Sequence, residues 1–343
     1  MRGASRRALD VDASTQLVTE SFLPGGGTMP LVVEPAVPGV DLAAWASANR
    51  STLEQRVTAH GAVLFRGFGL TTPADFEAVA SGICPDLFGD YGDLPREGES
   101  HRIYQSTPYP NDMTILYHNE SSHLPTWPLR QFFFSEVVAT EGGETPILDC
   151  RAVLDLIDPA IVERFETKGV TYVRNFVPGV DVAWQDFFKT DDPRAVERVC
   201  IDSGMECEWT GADRLRVKNR TEAVRTHPVT GERIFFNQIQ LHHVRCLPDA
   251  VRSALVDVIG EDDMPRSVTY GDGSPISDDE MDHIGEVFDR TAVKFPWQVG
   301  DLIMIDNMLV AHARLPFSGP RKIVVAMARM TNGSGPLVAS TAS

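Results

Sequence analysis

Short apolar runs separated by polar, Gly- and Pro-rich stretches dominate the chain, and most have the length and residue types of strands. Residues 61–68 predict an early core strand, between helical patterning over 41–60 and around 73–81. Residues 113–117 read as extended, 131–138 as a core strand, and the largely apolar 301–310 and 323–328 as two more. From Arg151 to about Arg198 the pattern turns helix-like, with Val153, Leu154, Leu156 and Ile157 apolar, which marks an insertion between sheet strands. Its Trp184, Phe187 and Phe188 either cover a site or fill a core, and filling a core is the plainer role of large rings at helical spacing. Arg214, Arg216, Lys218 and Arg220 alternate, so a strand there carries a basic ridge on one face. A solvated edge strand is the plain reading, and a landing site for an acidic substrate or acidic carrier protein is the sharper one. Residues 85–107, rich in Gly, Pro and polar side chains, read as part of a site's rim.

The pattern predicts a mainly β chain with helical insertions. At 343 residues, 43% hydrophobic and 23% charged, it has ample material for one large core. We expect a flexible N-terminal segment over 1–30, closed by the Gly25 to Gly27 loop. A single domain over 31–332 and a flexible C-terminal tail over 333–343 follow. No stretch approaches the ~20 apolar residues that span a bilayer. The basic start leads into Asp10 and Asp12 without the apolar segment of a signal peptide, so the expected location is cytoplasmic. Five cysteines without paired spacing predict buried free thiols rather than disulfides or a zinc cluster. A net charge of −17 opposes a phosphate-backbone partner, so nucleic acid is not expected.

The candidate chemistry centres on His118-Asn119-Glu120. On an extended segment, side chains two apart share a face, so His118 and Glu120 can grip one ion while Asn119 points away. His123 does not complete a helical zinc-protease motif: the histidines are five apart rather than four, and Pro125 and Pro128 follow closely. His312, at the end of the 301–310 run, is the better third ligand. Two histidines and one carboxylate leave coordination positions open, which suits ferrous iron that must bind a co-substrate and oxygen.

Arg321 starts the strand-like run that succeeds His312, and its planar fork can clamp a carboxylate in a way a lysine cannot copy. Thr145, after the Gly142-Gly143 pair, can share that carboxylate. Singly, the plainer reading of Arg321 is a solvated strand-end cation and that of Thr145 a turn residue after the Gly-Gly pair. Asn237, Gln238, Gln240, His242 and His243 cluster after an apolar run; orienting a substrate and plain structural hydrogen bonding are open for all of them. Arg329 is a further candidate for a substrate carboxylate.

Taken together these residues resemble the iron(II)- and 2-oxoglutarate-dependent oxygenases of the taurine dioxygenase (TauD/TfdA-like) type, most of all members from bacterial peptide-antibiotic pathways. The resemblance runs through His118-Asn119-Glu120, Trp127-Pro128, residues 141–146, Phe236-Asn237-Gln238 and residues 295–298. It continues through Asp306-Asn307-Met308 to Pro320-Arg321-Lys322 and covers roughly residues 60–330. It implies a double-stranded β-helix, a jelly-roll of the clavaminate synthase-like kind, with the metal near one open end. It further implies that His118, Glu120 and His312 bind iron and that Thr145 and Arg321 hold the distal carboxylate of 2-oxoglutarate. Glu at position 120, where many members have Asp, fits the antibiotic branch and argues against halogenation, for which the family leaves that position empty.

The chemistry so implied is oxygen-dependent: decarboxylation of 2-oxoglutarate supplies electrons, and an unactivated carbon loses a hydrogen and gains a hydroxyl. The protein fixes which carbon faces the metal. The expected substrate is an amino acid or amino-acid-derived unit, free or carrier-bound, in natural product biosynthesis. The same site can instead end in desaturation, epoxidation or cyclisation. A non-catalytic metal-containing jelly-roll is the remaining reading, disfavoured because structural zinc usually closes with four protein ligands.

Overall fold

The computed structural model describes residues 17–25, 27–89, 97, 100, 102–106, 109–180 and 182–333. Its centre is the strand Trp127–Val137, flanked by Leu302–Asp306 on one side and Lys322–Thr331 on the other. Outward from Leu302–Asp306 lie Ala62–Phe65, Leu31–Pro35 and Val18–Phe22; Tyr104–Gln105 closes the opposite edge. All pairings in this seven-stranded sheet are antiparallel except Leu31–Pro35 with Ala62–Phe65.

Alternation along these strands sorts the sheet's two faces into two cores. Phe132 and Phe134, Val63 and Phe65, Leu302 and Met304, and Val324 and Ala326 point to a helical layer. That layer is formed by Leu42–Ala48, Arg50–His60 and Pro73–Ile83, and Phe76 stacks on Phe134 at 5.5 Å. Leu129, Phe133, Ile303, Ile305, Val325 and Met327 point the other way. There they meet Tyr117, Ile147, Leu148 and Val310 from a three-stranded sheet ordered Ile115–His118, Val310–Arg314, Ile147–Asp149. The two sheets thus share one core, and the short sheet carries both candidate histidines.

The expected helix over 41–60 is two helices, parted at Asn49, whose side-chain amide turns back to the Trp45 carbonyl at 2.8 Å. The third is fixed by a capping box in which Thr72 and Asp75 satisfy each other's backbone N–H groups.

Several expectations need correction. Among the described residues, regular structure is already present at Val18, well before Leu31: Val18–Phe22 pairs along its whole length with Leu31–Pro35. Four of its five residues are exposed, so it had no apolar signature to read. Residues 1–16 and 334–343, read as flexible ends, lie outside the described residues, as does much of the 85–107 rim. The helical insertion is interrupted by the strand Val170–Phe176, which joins Glu206–Gly211, Arg214–Thr221 and Arg266–Tyr270 in a four-stranded sheet. Arg214–Thr221 is therefore an interior strand, paired on both sides, rather than an edge. Its ridge is partly neutralised, since Asp263 takes Arg214 at 2.9 Å and Arg216 at 3.3 Å. The five cysteines are free, three buried and two half-buried. No helix among the described residues is long and apolar enough to cross a membrane.

Candidate metal and co-substrate site

His118 and His312 are direct register partners on adjacent antiparallel strands, their ring centroids 4.3 Å apart. Phe133 meets the His312 ring edge-on at 4.9 Å from across the core. The strand ends at His118, so Glu120 lies in the turn beyond it rather than on the strand. Asn307 brings it back: its Oδ1 accepts the Glu120 N–H at 2.7 Å, and its Nδ2 donates to the Glu120 carbonyl at 2.9 Å. Asn119 points away, as the spacing predicts. It is buried, donates to the Asn307 carbonyl at 2.7 Å and accepts the Asn237 N–H at 3.0 Å. One candidate donor atom each from His118, Glu120 and His312 falls within 4.8 Å of the others, close enough to hold one ion.

The donor chemistry agrees. His118 Nδ1 lies 2.8 Å from the Leu116 carbonyl, which only accepts, so Nδ1 carries the proton and Nε2 keeps its lone pair for a cation. His312 is held well below the ordinary imidazole range, by burial first and the neighbouring His118 second, so its ring is neutral and free to act as a ligand. Its Nδ1 is buried with no hydrogen-bond partner. The Gln131 amide lies 3.5 Å from a Glu120 carboxylate oxygen.

Beside the triad a cavity of about 470 Å³ is lined by Thr145, Arg314 and Arg321 as well as His118, Glu120 and His312. Gly143 permits this: at φ +75° it lets Arg321 lie across it, where an added Cβ would stand 3.0 Å from the Arg321 Cδ and Nε. Arg321 Nε donates to the Gly143 carbonyl at 2.9 Å and a terminal nitrogen reaches Thr145 Oγ1 at 3.4 Å. Thr145 Oγ1 also accepts from Trp297 Nε1 at 3.1 Å, leaving its own O–H for a ligand. Burial, and then the nearby Arg314, push the Arg321 guanidinium down to about 10, still cationic at neutral pH. The cost of that crowded positive charge is what a bound carboxylate removes. The residues therefore fit a dicarboxylic keto acid beside a divalent metal.

The family model described as "Taurine catabolism dioxygenase TauD, TfdA family" matches residues 25–327. The chain belongs to that family. It is a non-haem iron(II)- and 2-oxoglutarate-dependent dioxygenase. It is 37% identical over 276 residues to the dapdiamide synthesis protein DdaC of Enterobacter agglomerans, covering 80% of this chain and 84% of that protein. A clavaminate synthase-like protein of Arabidopsis thaliana is 29% identical over 280 residues, 78% of this chain and 82% of that one. PvcB of Pseudomonas aeruginosa shares the fold, with a TM-score of 0.54 at 13% identity over 95% of each chain.

Other predicted residues sit differently in the dioxygenase. Asn237 and Gln238 are buried against the metal loop, where the Asn237 carbonyl accepts the Asn119 N–H at 3.1 Å and Gln238 Nε2 donates to the Asn119 carbonyl at 3.0 Å. Both act as supports of the loop that carries Glu120. Arg329 must be corrected: its guanidinium pairs with Glu54 at 2.9 Å, within the Arg130 and Asp306 network, and it does not line the cavity. Sequence reasoning missed the parts played by Asn307, Gln131, Trp297 and Arg314. Arg314 is two residues beyond His312 and donates to the carbonyls of Tyr109, Pro110 and Met113, tying that segment to the cavity. Its place two along from His312 on a strand was the one available signal. From the expected rim, Ser106 lines the cavity.

Proposed function

We propose that this dioxygenase hydroxylates an unactivated carbon of an amino acid or amino-acid-derived unit, free or carrier-bound, in natural product biosynthesis. Substrate, 2-oxoglutarate and O2 become hydroxylated product, succinate and CO2. The observation that carries the reading is the meeting of the His118, Glu120 and His312 donors beside the Arg321 and Thr145 anion seat in one cavity. DdaC, a dapdiamide synthesis protein, supports the biosynthetic context. We take the catalytic unit to be one jelly-roll domain that includes the Val18–Phe22 strand and runs to about residue 332.

His118, Glu120 and His312 would hold iron(II), and Arg321 with Thr145 would hold the distal carboxylate of 2-oxoglutarate. When bound, iron with the keto acid supplies the oxidising power that an unactivated C–H bond requires. The chain's own work is orientation. Asn307 fixes the Glu120 backbone and the Gln131 amide approaches its carboxylate, the Leu116 carbonyl fixes the His118 ring, and Gly143 leaves room for the Arg321 fork. Phe133 and the sheet core keep water from the buried His312 face. For a carrier-bound substrate, Lys218 and Arg220 are the members of the basic ridge not engaged by Asp263.

Anaerobic titration of the iron(II)-loaded protein with 2-oxoglutarate tests the site: a weak visible charge-transfer band is expected, lost in His118→Ala and His312→Ala. Oxygen-dependent succinate release with a panel of free and carrier-bound amino acids then tests the substrate class. A folded, iron-loaded protein that shows no band overturns the reading.

A further inference from the structure

A second cavity, of about 440 Å³ with its mouth included, lies beside the metal loop. Tyr172, Phe176, Phe187 and Phe188 form its wall, with the imidazoles of His123 and His242. Two of its contributing segments continue from the metal loop and its supports. His123 follows Glu120 by three residues, and Asn219 Nδ2 anchors its carbonyl at 2.7 Å. Gln238, which holds the Asn119 carbonyl through its amide, accepts through its own carbonyl from His242 Nδ1 at 3.1 Å. The His123 and His242 rings lie 5.1 Å apart, centroid to centroid.

The chemistry of this cavity is apolar. No Asp or Glu is among the described residues that line it. His242 is pushed down to about 3, and His123 well below its ordinary range, by burial above all, so both rings are neutral near pH 7. Phe176, Phe187 and Phe188 contact one another at centroid distances of 4.9–5.9 Å. The Arg174 guanidinium braces two of them, 4.7 Å from the Phe176 centroid and 4.4 Å from that of Phe187. Within this cavity, His123 Nδ1 is buried with no hydrogen-bond partner. Interiors are close-packed and buried polar atoms are paired, so an open aromatic box beside the orphan His123 nitrogen calls for an occupant that fills the space and pairs the atom.

We propose that this cavity receives a bulky, uncharged, ring-bearing side chain of the substrate's amino-acid unit, with His123 Nδ1 hydrogen-bonded to a polar atom of that unit. The inference rests on the oxygenase reading above and deepens it by naming the side chain selected. Half-buried Phe187 and Phe188, on the short helix Trp184–Phe188, form part of the wall, which gives the aromatics of the insertion a substrate-facing role.

The test is calorimetric binding to the iron(II)- and 2-oxoglutarate-loaded protein without oxygen. The probes are N-acetyl-L-phenylalaninamide, N-acetyl-L-alaninamide and N-acetyl-L-lysinamide, which differ only in the side chain. The phenylalanine probe is expected to bind about tenfold or more tighter than the other two, as burial of one large apolar group implies. Val217→Phe, which fills the cavity from the Arg214–Thr221 strand, should weaken that probe about tenfold or more on the same basis while leaving the charge-transfer band intact. Phe188→Ala should weaken it in the same direction and serves if Val217→Phe does not fold. Equal affinity for the three probes, no binding of the phenylalanine probe, or folded variants that bind it as the parent does overturns the proposal. A missing band with selective binding retained overturns the oxygenase reading alone; a normal band without selectivity overturns the cavity assignment alone.

Discussion

Asn307 grips Glu120 by both faces of its peptide, accepting the N–H at 2.7 Å and donating to the carbonyl at 2.9 Å, with a further bond to the Pro128 carbonyl at 2.9 Å. Asp306 shapes the turn that presents it, its Oδ1 accepting the N–H groups of Met308 and Leu309. A carboxylate that would sit in a loose turn is thereby held as firmly as a strand residue.

Asn307→Ala should therefore lower iron(II) affinity about 10–100-fold, the usual effect of losing a group that orients a metal ligand. Metal titration followed by calorimetry checks this. Unchanged affinity in a folded variant would deny Asn307 its positioning role.

Removal of ligands and of the anion seat should separate. His118→Ala and His312→Ala should abolish iron retention and turnover together. Arg321→Ala should keep iron but raise the 2-oxoglutarate requirement by about tenfold or more, since a charge-assisted hydrogen bond is worth about 1.5–3 kcal/mol. Equal loss of iron in all three variants would collapse this division of roles.

Thr145→Val should act in the same direction as Arg321→Ala but more weakly. It removes a single hydroxyl, about 0.5–1.5 kcal/mol, and leaves Trp297 Nε1 without its acceptor. The 2-oxoglutarate dependence of succinate release measures it, and a variant indistinguishable from the parent argues that the hydroxyl serves Trp297 alone.

Acid should destabilise the metal-free protein well before its carboxylates titrate. His123, His242 and His312 all have folded-state pKa values below 6.5, so the unfolded chain binds more protons below that pH. Their contribution is complete above pH 6.5 and is lost as the pH falls toward 3, with a slope of up to about 1.4 kcal/mol per pH unit for each histidine. Urea unfolding at pH 7.5, 6.5 and 5.5 should show the loss, and His242→Gln should make it shallower. Parallel pH dependences in parent and variant would refute the assignment.

Behind the site, Arg130 and Asp306 form a fully buried pair at 2.6 Å, which His227 joins at 3.1 Å. Burial raises the Asp306 pKa, yet the charge of Arg130 and the hydrogen bond from His227 outweigh it and hold the carboxyl below its ordinary range. Arg130→Met should cost about 3–5 kcal/mol, because it strands a buried carboxylate. Chemical denaturation measures this, and a cost near zero would show that water or another cation replaces the guanidinium.

The sequence alone determined which strands have two apolar faces, where His118, Glu120, His312, Thr145 and Arg321 sit, and which family they resemble. Local alternation and turn chemistry are written in neighbouring residues, and a ligand set leaves its spacing in the chain. What it could not determine depends on contacts between distant segments. Register places His118 opposite His312, and Asn307 holds Glu120 in a turn where spacing implied a strand. Pairing on both sides turned the expected edge at 214–221 into an interior strand, and Glu54 drew Arg329 away from the site. The aromatic cavity is likewise assembled from six separate stretches of chain. None of these has a local signal, because hydrogen bonds and ion pairs across a sheet are decided by which residues folding brings together.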